Sequence, residues 1–88
     1  MRSIKTITNE VVFNSPAYIT AVILVAGSAE AIVTLDNSDD GSGTDIIALK
    51  CPSNDSRNVF IGDRGVKFTA AVYSTISGSG AVAYIYYR

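Results

Sequence analysis

Apolar and polar residues alternate with a period of two along most of this chain. Residues 29–36 show the pattern most clearly, with one apolar face (Ala29, Ala31, Val33 and Leu35) and a second, more polar face (Glu30, Ile32, Thr34 and Asp36). Such alternation predicts a β-strand that buries one face, and the same period recurs in several other segments. We therefore expect an all-β protein with no helix longer than one turn.

Short runs of β-branched and aromatic residues predict eight strands, at residues 4–8, 11–13, 18–26, 29–35, 45–51, 59–61, 66–73 and 81–87. Clusters of Gly, Pro, Asn, Asp and Ser separate them, and residues 77–80 are predicted to join the last two strands as a tight hairpin. Seven or eight short strands in 88 residues indicate a small antiparallel β-sandwich or jelly roll. Residues 1–88 are expected to form one domain, with residues 1–9 as either an N-terminal arm or an edge strand.

Two predicted strands, residues 18–26 and 81–87, are apolar on both faces. One face of a strand in a two-layer sandwich normally contacts water, so something must cover the outer faces of these two. The covering element is either a loop over a central strand or another subunit. The candidate interface residues are Tyr18, Ile19, Ile23, Tyr84, Tyr86 and Tyr87, together with Ile4 and Ile7 of the N-terminal segment.

The composition favours association over an isolated monomer. Apolar residues make up 48% of the chain and charged residues 17%, whereas charged residues are about 25% of an average domain. A domain of this size has a thin core. The chain has a single cysteine, Cys51, and no histidine, so neither an internal disulfide nor a zinc site built from Cys and His can strengthen it.

Charge and hydropathy argue against nucleic-acid and membrane partners. The net charge is −1, and the seven basic residues are scattered along the chain. Aromatic residues are not interleaved with them, as they would be on a surface that binds nucleic-acid phosphates and bases. The longest apolar run, residues 21–27, is far shorter than the about 20 residues of a membrane span. The first ten residues lack the apolar core of a secretory signal. These features predict a soluble protein made in a reducing compartment.

Residues 36–45 concentrate four of the eight acidic residues of the chain. Oxygen-bearing side chains at the first, third and fifth positions and glycine at the sixth resemble the start of an EF-hand loop, but its twelfth position is the apolar Ile47. A looser calcium site remains a weaker alternative, with Asp36, Asp39, Asp40 and Asp45 as its candidate ligands. The preferred interpretation is an exposed polar turn without a metal.

No catalytic constellation is evident in the sequence. Cys51 has no histidine to act as its base, and the neighbouring Lys50 points to the other face of the same predicted strand. The segment around Gly41 and Gly43 lacks the lysine and the helix of a phosphate-binding loop. We therefore expect no enzyme activity and no cofactor.

The order of elements from Ala29 to Tyr87 is distinctive. It runs through the strand ending Val33-Thr34-Leu35-Asp36, the loop Gly41-Ser42-Gly43-Thr44, the strand Ile46-Ile47-Ala48-Leu49, then Gly65-Val66-Lys67-Phe68, and finally Ser77-Gly78-Ser79-Gly80-Ala81-Val82 leading into Ala83-Tyr84-Ile85-Tyr86-Tyr87. This order resembles small β-sandwich structural proteins of tailed bacteriophages, which are similar to capsid decoration, or cement, proteins. In those proteins jelly-roll subunits associate as trimers over the junctions between major capsid proteins.

The resemblance implies a non-enzymatic virion protein on the capsid surface, made in the host cytoplasm. Its expected partners are two further copies of itself and the major capsid protein or other virion proteins. The alternative is a binding module of a phage tail fibre or spike, or a lectin-like domain. In that alternative residues 36–45, which we call the acidic loop, bind calcium.

Overall fold

Nine antiparallel strands in two sheets make up the computed structural model, which describes residues 2–88. The strands are β1 (Arg2–Thr6), β2 (Glu10–Phe13), β3 (Ala17–Val25), β4 (Ala31–Asp36), β5 (Asp45–Cys51), β6 (Ser56–Phe60), β7 (Val66–Phe68), β8 (Val72–Ser77) and β9 (Val82–Tyr87). Sheet A has the order β1-β9-β3-β6, with β7 also paired to β3, and sheet B has the order β2-β8-β4-β5. Residues 2–88 include no helix that is long and apolar enough to cross a membrane.

The two sheets form a jelly roll. Strands β6 and β7 follow one another along the same edge of β3, because β6 pairs with residues 21–25 and β7 with residues 17–19. Counted as one interrupted strand, they give each sheet four strands, which is the jelly-roll arrangement. The predicted all-β sandwich is confirmed.

The core lies between the sheets and is built mainly from the inward residues of β3, β4 and β9. The alternation predicted for β4 is confirmed, since Ala31, Val33 and Leu35 are fully buried while Ile32 is 38% exposed. Phe68 is the largest fully buried side chain. Burying a side chain of this kind contributes about 1.5–3 kcal/mol to stability.

Two predicted elements divide differently between the sheets. Residues 66–73 are not one strand, because the chain leaves sheet A after Phe68 and enters sheet B at Val72. The turn after Ser77 is likewise not a hairpin, since it joins β8 of sheet B to β9 of sheet A. Gly78 allows this crossing, because its φ is 109° and a Cβ there would lie 2.5 Å from the carbonyl oxygen of Glu30.

A β-bulge at Thr20 changes which residues of β3 face the core. The pairing of β3 with β9 shifts register between Ile19 and Ala21, and one extra residue moves every residue before it to the other face. Ile19 therefore joins Val22 and Leu24 in the core, whereas simple alternation predicts it beside Ile23 on the outer face. That part of the face prediction is wrong.

The N-terminal segment is an edge strand over Arg2–Thr6, paired antiparallel with β9. Ile4 lies opposite Ile85 and packs against the core. The connection to β2 is held by Asn9, whose side-chain oxygen accepts a hydrogen bond from the N–H of Ile76 at 2.8 Å. Met1, the first residue of the predicted arm or edge strand, lies outside the described residues.

Candidate interaction surface

The outer face of sheet A is largely apolar. In the cross-strand rows, Ile23 lies beside Tyr84, Ala21 lies between Tyr86 and Phe60, and Val25 lies beside Val82. Phe60 is 68% exposed and Val25 is 36% exposed, while the rest are partly or largely covered by their neighbours. We call this set the apolar face: Ala21, Ile23, Val25, Phe60, Val82, Tyr84 and Tyr86.

The apolar face exists because β3 and β9 are adjacent central strands, and each is apolar on both sides. Sheet B differs, since its outer face carries Thr34 opposite Thr75, and Ile32 opposite Ser77. A solvated antiparallel sheet normally has such a polar outer face. Contiguous exposed apolar surface is typical of protein contact sites, so the apolar face is the candidate interaction surface of this protein.

Basic side chains border the apolar face. Lys5 lies directly opposite Tyr84 across β1 and β9. At one end of the sheet, the Arg88 guanidinium lies 4.5 Å and the Lys67 ammonium 5.8 Å from the ring centroid of Tyr18. These cation–π contacts hold the two charges against the aromatic ring. The surface therefore combines an apolar centre with positive charge at its margin.

The structure divides the eight residues predicted for an interface into three groups. Four of them lie together on the outer face of sheet A: Tyr18, Ile23, Tyr84 and Tyr86. Three others point inward, where Ile4 and Tyr87 pack against the core and Ile19 has no exposed surface. Ile7 is 61% exposed in the connection between β1 and β2. A partner cannot reach Ile19, because the bulge at Thr20 turns it into the core.

Phe60, the most exposed large apolar side chain among residues 2–88, is absent from the sequence-based prediction. Its neighbours in sequence are both apolar, so the short strand shows no alternation that would assign Phe60 to an outer face. Its position depends on the pairing of β6 with β3, which places it opposite Ala21. That pairing joins segments almost forty residues apart.

An apolar groove runs along the flank of the sandwich, between the edge strand β5 of sheet B and the β6 and β7 edge of sheet A. Its volume is about 330 Å³. Ile46 and Ile61 are 38% and 37% exposed at its opening. We call this the flank groove, and all the residues that line it are of apolar type: Ile46, Ile47, Ala48, Val59, Ile61 and Val66.

Hydrogen bonds within the acidic loop use the oxygens of two of its carboxylates. The Ser38 hydroxyl donates to Asp36 Oδ1 at 2.8 Å, and the Ser42 N–H donates to Asp40 Oδ1 at 3.0 Å. The Ser42 hydroxyl also donates to Asp40, and these bonds from Ser42 lower the pKa of the Asp40 carboxyl. These bonds close the loop on itself, as in the polar turn that the sequence favours.

The four candidate calcium ligands are unequally placed. Asp36 is 3% exposed, whereas Asp39, Asp40 and Asp45 are exposed. Among residues 2–88, no three His, Cys, Asp or Glu side chains come together in an arrangement suited to a metal ion.

Cys51 is fully buried at the end of β5, and its thiol donates to the Pro52 carbonyl oxygen at 3.4 Å. Lys50, its neighbour, points away from the core and forms an exposed ion pair with Glu30 at 3.6 Å. The thiol is therefore packed in the core, as free cysteines often are.

No family model, curated protein or solved structure matches this chain.

Proposed function

We propose that this protein is a non-enzymatic structural subunit of a virion, a capsid decoration protein that assembles as a homotrimer and stabilises the shell from outside. The observation that carries the proposal is the apolar face, an exposed apolar surface on the outside of a rigid sheet. The order of strands and turns, which resembles phage structural proteins, supports the same function.

The size of the surface fits a protein contact. The molecule measures 34 × 27 × 17 Å, and stacking two sheets gives the sandwich its shortest dimension. A broad side therefore has a projected area of roughly 900 Å², large enough to hold a contact of the about 800 Å² that each partner buries in a standard interface. Oligomerisation also provides the additional burial that a thin core of this size lacks.

A decoration protein needs no active site. It has to bridge neighbouring subunits of the shell, and repeated weak contacts across a symmetric oligomer multiply into strong attachment. The two hydrogen-bonded sheets supply a rigid body for this purpose, and the tyrosines of the apolar face are of a residue type enriched in protein interfaces. The partners in this proposal are two copies of the chain and the major capsid protein or other virion proteins.

The proposal is tested with Phe60→Asp, which places a charge on the most exposed side chain of the apolar face. Ile32→Asp is the matched control, because Ile32 is exposed on the outer face of sheet B. We expect the unmodified protein to be a trimer by light scattering and to be present in purified capsids in a fixed ratio to the major capsid protein. We expect Phe60→Asp to weaken trimer association and to lower the amount of protein bound to capsids, each by about tenfold or more, because charge is depleted from interface cores. Ile32→Asp should change neither trimer association nor capsid binding.

Purified capsids of the source virus without stoichiometric copies of this protein would overturn the proposal. The alternative binding module would instead require the acidic loop to hold calcium. We do not advance that function, because Asp36 and Asp40 already accept hydrogen bonds inside the loop. Saturable heat on calorimetric titration with calcium would favour the alternative.

A further inference from the structure

Charge is segregated between the two sheets. The strands of sheet A contain Arg2, Lys5, Arg57 and Lys67 and, in the described part of the chain, no acidic residue. Lys50 is the one basic residue in the strands of sheet B. Six of the eight acidic residues lie in or beside sheet B: Glu10, Glu30, Asp36, Asp39, Asp40 and Asp45. The other two acidic residues, Asp55 and Asp63, lie on either side of β6 in sheet A, but basic residues still outnumber them there. Each subunit therefore has a basic side and an acidic side.

Opposite charges also lie at the same end of the sandwich. β3 begins and β9 ends at this end of sheet A, where Lys67 and Arg88 contact Tyr18. β4 ends and β5 begins at the corresponding end of sheet B, where the acidic loop is found. The side chain of Asn37 in that loop accepts a hydrogen bond from Ala70, just after β7. Lys67, Arg88 and the acidic loop are therefore at the same height along the strands, whereas Lys5 is level with Ile23, further along sheet A.

Each charged margin adjoins an apolar surface. Lys67 and Arg88 lie at the margin of the apolar face, against the ring of Tyr18. Asp45 directly precedes Ile46, which lines the flank groove. The end of strand β6 adjoins both surfaces. Phe60 lies on the apolar face, while Val59 before it and Ile61 just after the strand line the groove. The apolar face and the flank groove therefore occupy adjoining sides of the subunit, not opposite ones.

We propose that the apolar face of one subunit binds the flank groove of a second copy, with Lys67 and Arg88 of the first opposite Asp39 and Asp45 of the second. Face-to-face pairing of two identical apolar faces would bring basic margins together. Pairing of the apolar face with the flank groove of another copy brings opposite charges together, which is the complementarity found at specific interfaces. This inference rests on the proposed homotrimer, since a ring of three requires two different patches on each subunit.

The positions of the patches also suit a closed ring. Rotation about an axis along the strands keeps the height of every group, so the basic and acidic margins at the same end of the sandwich meet. Subunits that bind their neighbours through two opposite sides extend into a filament. Subunits that bind their neighbours through two adjoining sides close into a ring.

The test uses three variants of the full chain, with association measured by light scattering over a dilution series. Lys67→Glu with Arg88→Glu reverses the basic margin, and Asp39→Lys with Asp45→Lys reverses the acidic margin while sparing the loop-closing Asp36 and Asp40. We expect each double variant to weaken association by about tenfold or more, because like charges then face each other. The quadruple variant combines both reversals and restores association to within about threefold of the original, since opposite charges again face each other.

Lys50→Glu is the control, because it makes the same change of charge on sheet B, and it leaves association unchanged. All variants change exposed side chains, and an unaltered far-UV spectrum confirms that each one folds. A trimer insensitive to either double variant, or a quadruple variant weaker than both doubles, would overturn this inference alone. A monomeric unmodified protein would overturn the proposed homotrimer together with the inference, and absence of the protein from purified capsids would overturn the proposed function alone.

Discussion

The side-chain oxygen of Asn37 accepts a hydrogen bond from the main-chain N–H of Ala70 at 2.8 Å. Its amide group donates to the Thr69 hydroxyl, also at 2.8 Å. One side chain thereby ties the acidic loop to the connection in which the chain crosses from β7 of sheet A to β8 of sheet B. The loop is therefore held at a defined place beside both sheets.

Asn37→Ala is expected to lower the free energy of unfolding by about 1–2 kcal/mol, because it removes hydrogen bonds from two sites in this connection. Urea unfolding measures the change. Asn58→Ala provides the control, since Asn58 is exposed on β6, and surface changes of this kind stay within about 0.5 kcal/mol. Equal effects of the two substitutions would contradict a stabilising role for the hydrogen bonds of Asn37.

Two buried threonines are expected to respond oppositely to the same substitution. Thr20 Oγ1 is buried at the bulge without a hydrogen-bond partner among residues 2–88, while Thr6 Oγ1 lies 2.8 Å from the Glu10 carboxylate. Thr20→Val should stabilise the protein by about 0.5–1 kcal/mol, and Thr6→Val should destabilise it by about 1–2 kcal/mol. Thermal and urea unfolding compare them, and a loss of stability in Thr20→Val would show that its hydroxyl is satisfied.

Gly65 lies where the chain turns closely past the bulge of β3. Its φ is 74°, and a Cβ would lie 2.8 Å from the Ile19 carbonyl oxygen. Gly62 also has a positive φ, but a Cβ there would meet nothing within 4 Å. Both Gly→Ala changes cost about 1–2 kcal/mol in backbone strain, and Gly65→Ala should cost at least about 1 kcal/mol more because of the clash. Equal losses in urea unfolding would argue against the close approach.

The hydrogen bonds from Ser42 lower the pKa of Asp40, so Ser42→Ala is expected to raise it toward the ordinary value of 3.8. The folded state favours ionised Asp40, and its contribution to stability is present above pH 3.8 and lost as the pH falls through the lowered pKa. NMR titration of the carboxyl carbon measures the shift. The pKa of Asp55, lowered by the Ser56 N–H and by Arg57, should not change.

Local patterns predict much of this fold because sandwich strands alternate between core and solvent. The inward positions of β4 follow directly from period two, since Ala31, Val33 and Leu35 occupy every second residue. The same rule fails at Ile19, because a bulge inserts one residue and the sequence around Thr20 carries no glycine or proline to mark it. A single unmarked residue is enough to exchange the two faces of a strand.

The candidate surface is predictable only in part, because it depends on which strands lie side by side. Apolar residues on both faces of two strands correctly indicate an unusual outer surface that includes Ile23 and Tyr84. Neither the contribution of Phe60 nor the segregation of charge is visible locally, since both follow from sheet membership. The crossing between Phe68 and Val72 is hidden for the same reason, because the residues on both sides of it favour strands.

The central place of β9 in sheet A also determines when this fold can form during synthesis. β9 lies between β1 and β3, so a nascent chain that ends before Val82 holds two strands without the one that joins them. The unpaired backbone groups of those strands are then open to other chains. This fold therefore cannot close until β9 has left the ribosome, and chains that lack β9 are the species most exposed to aggregation.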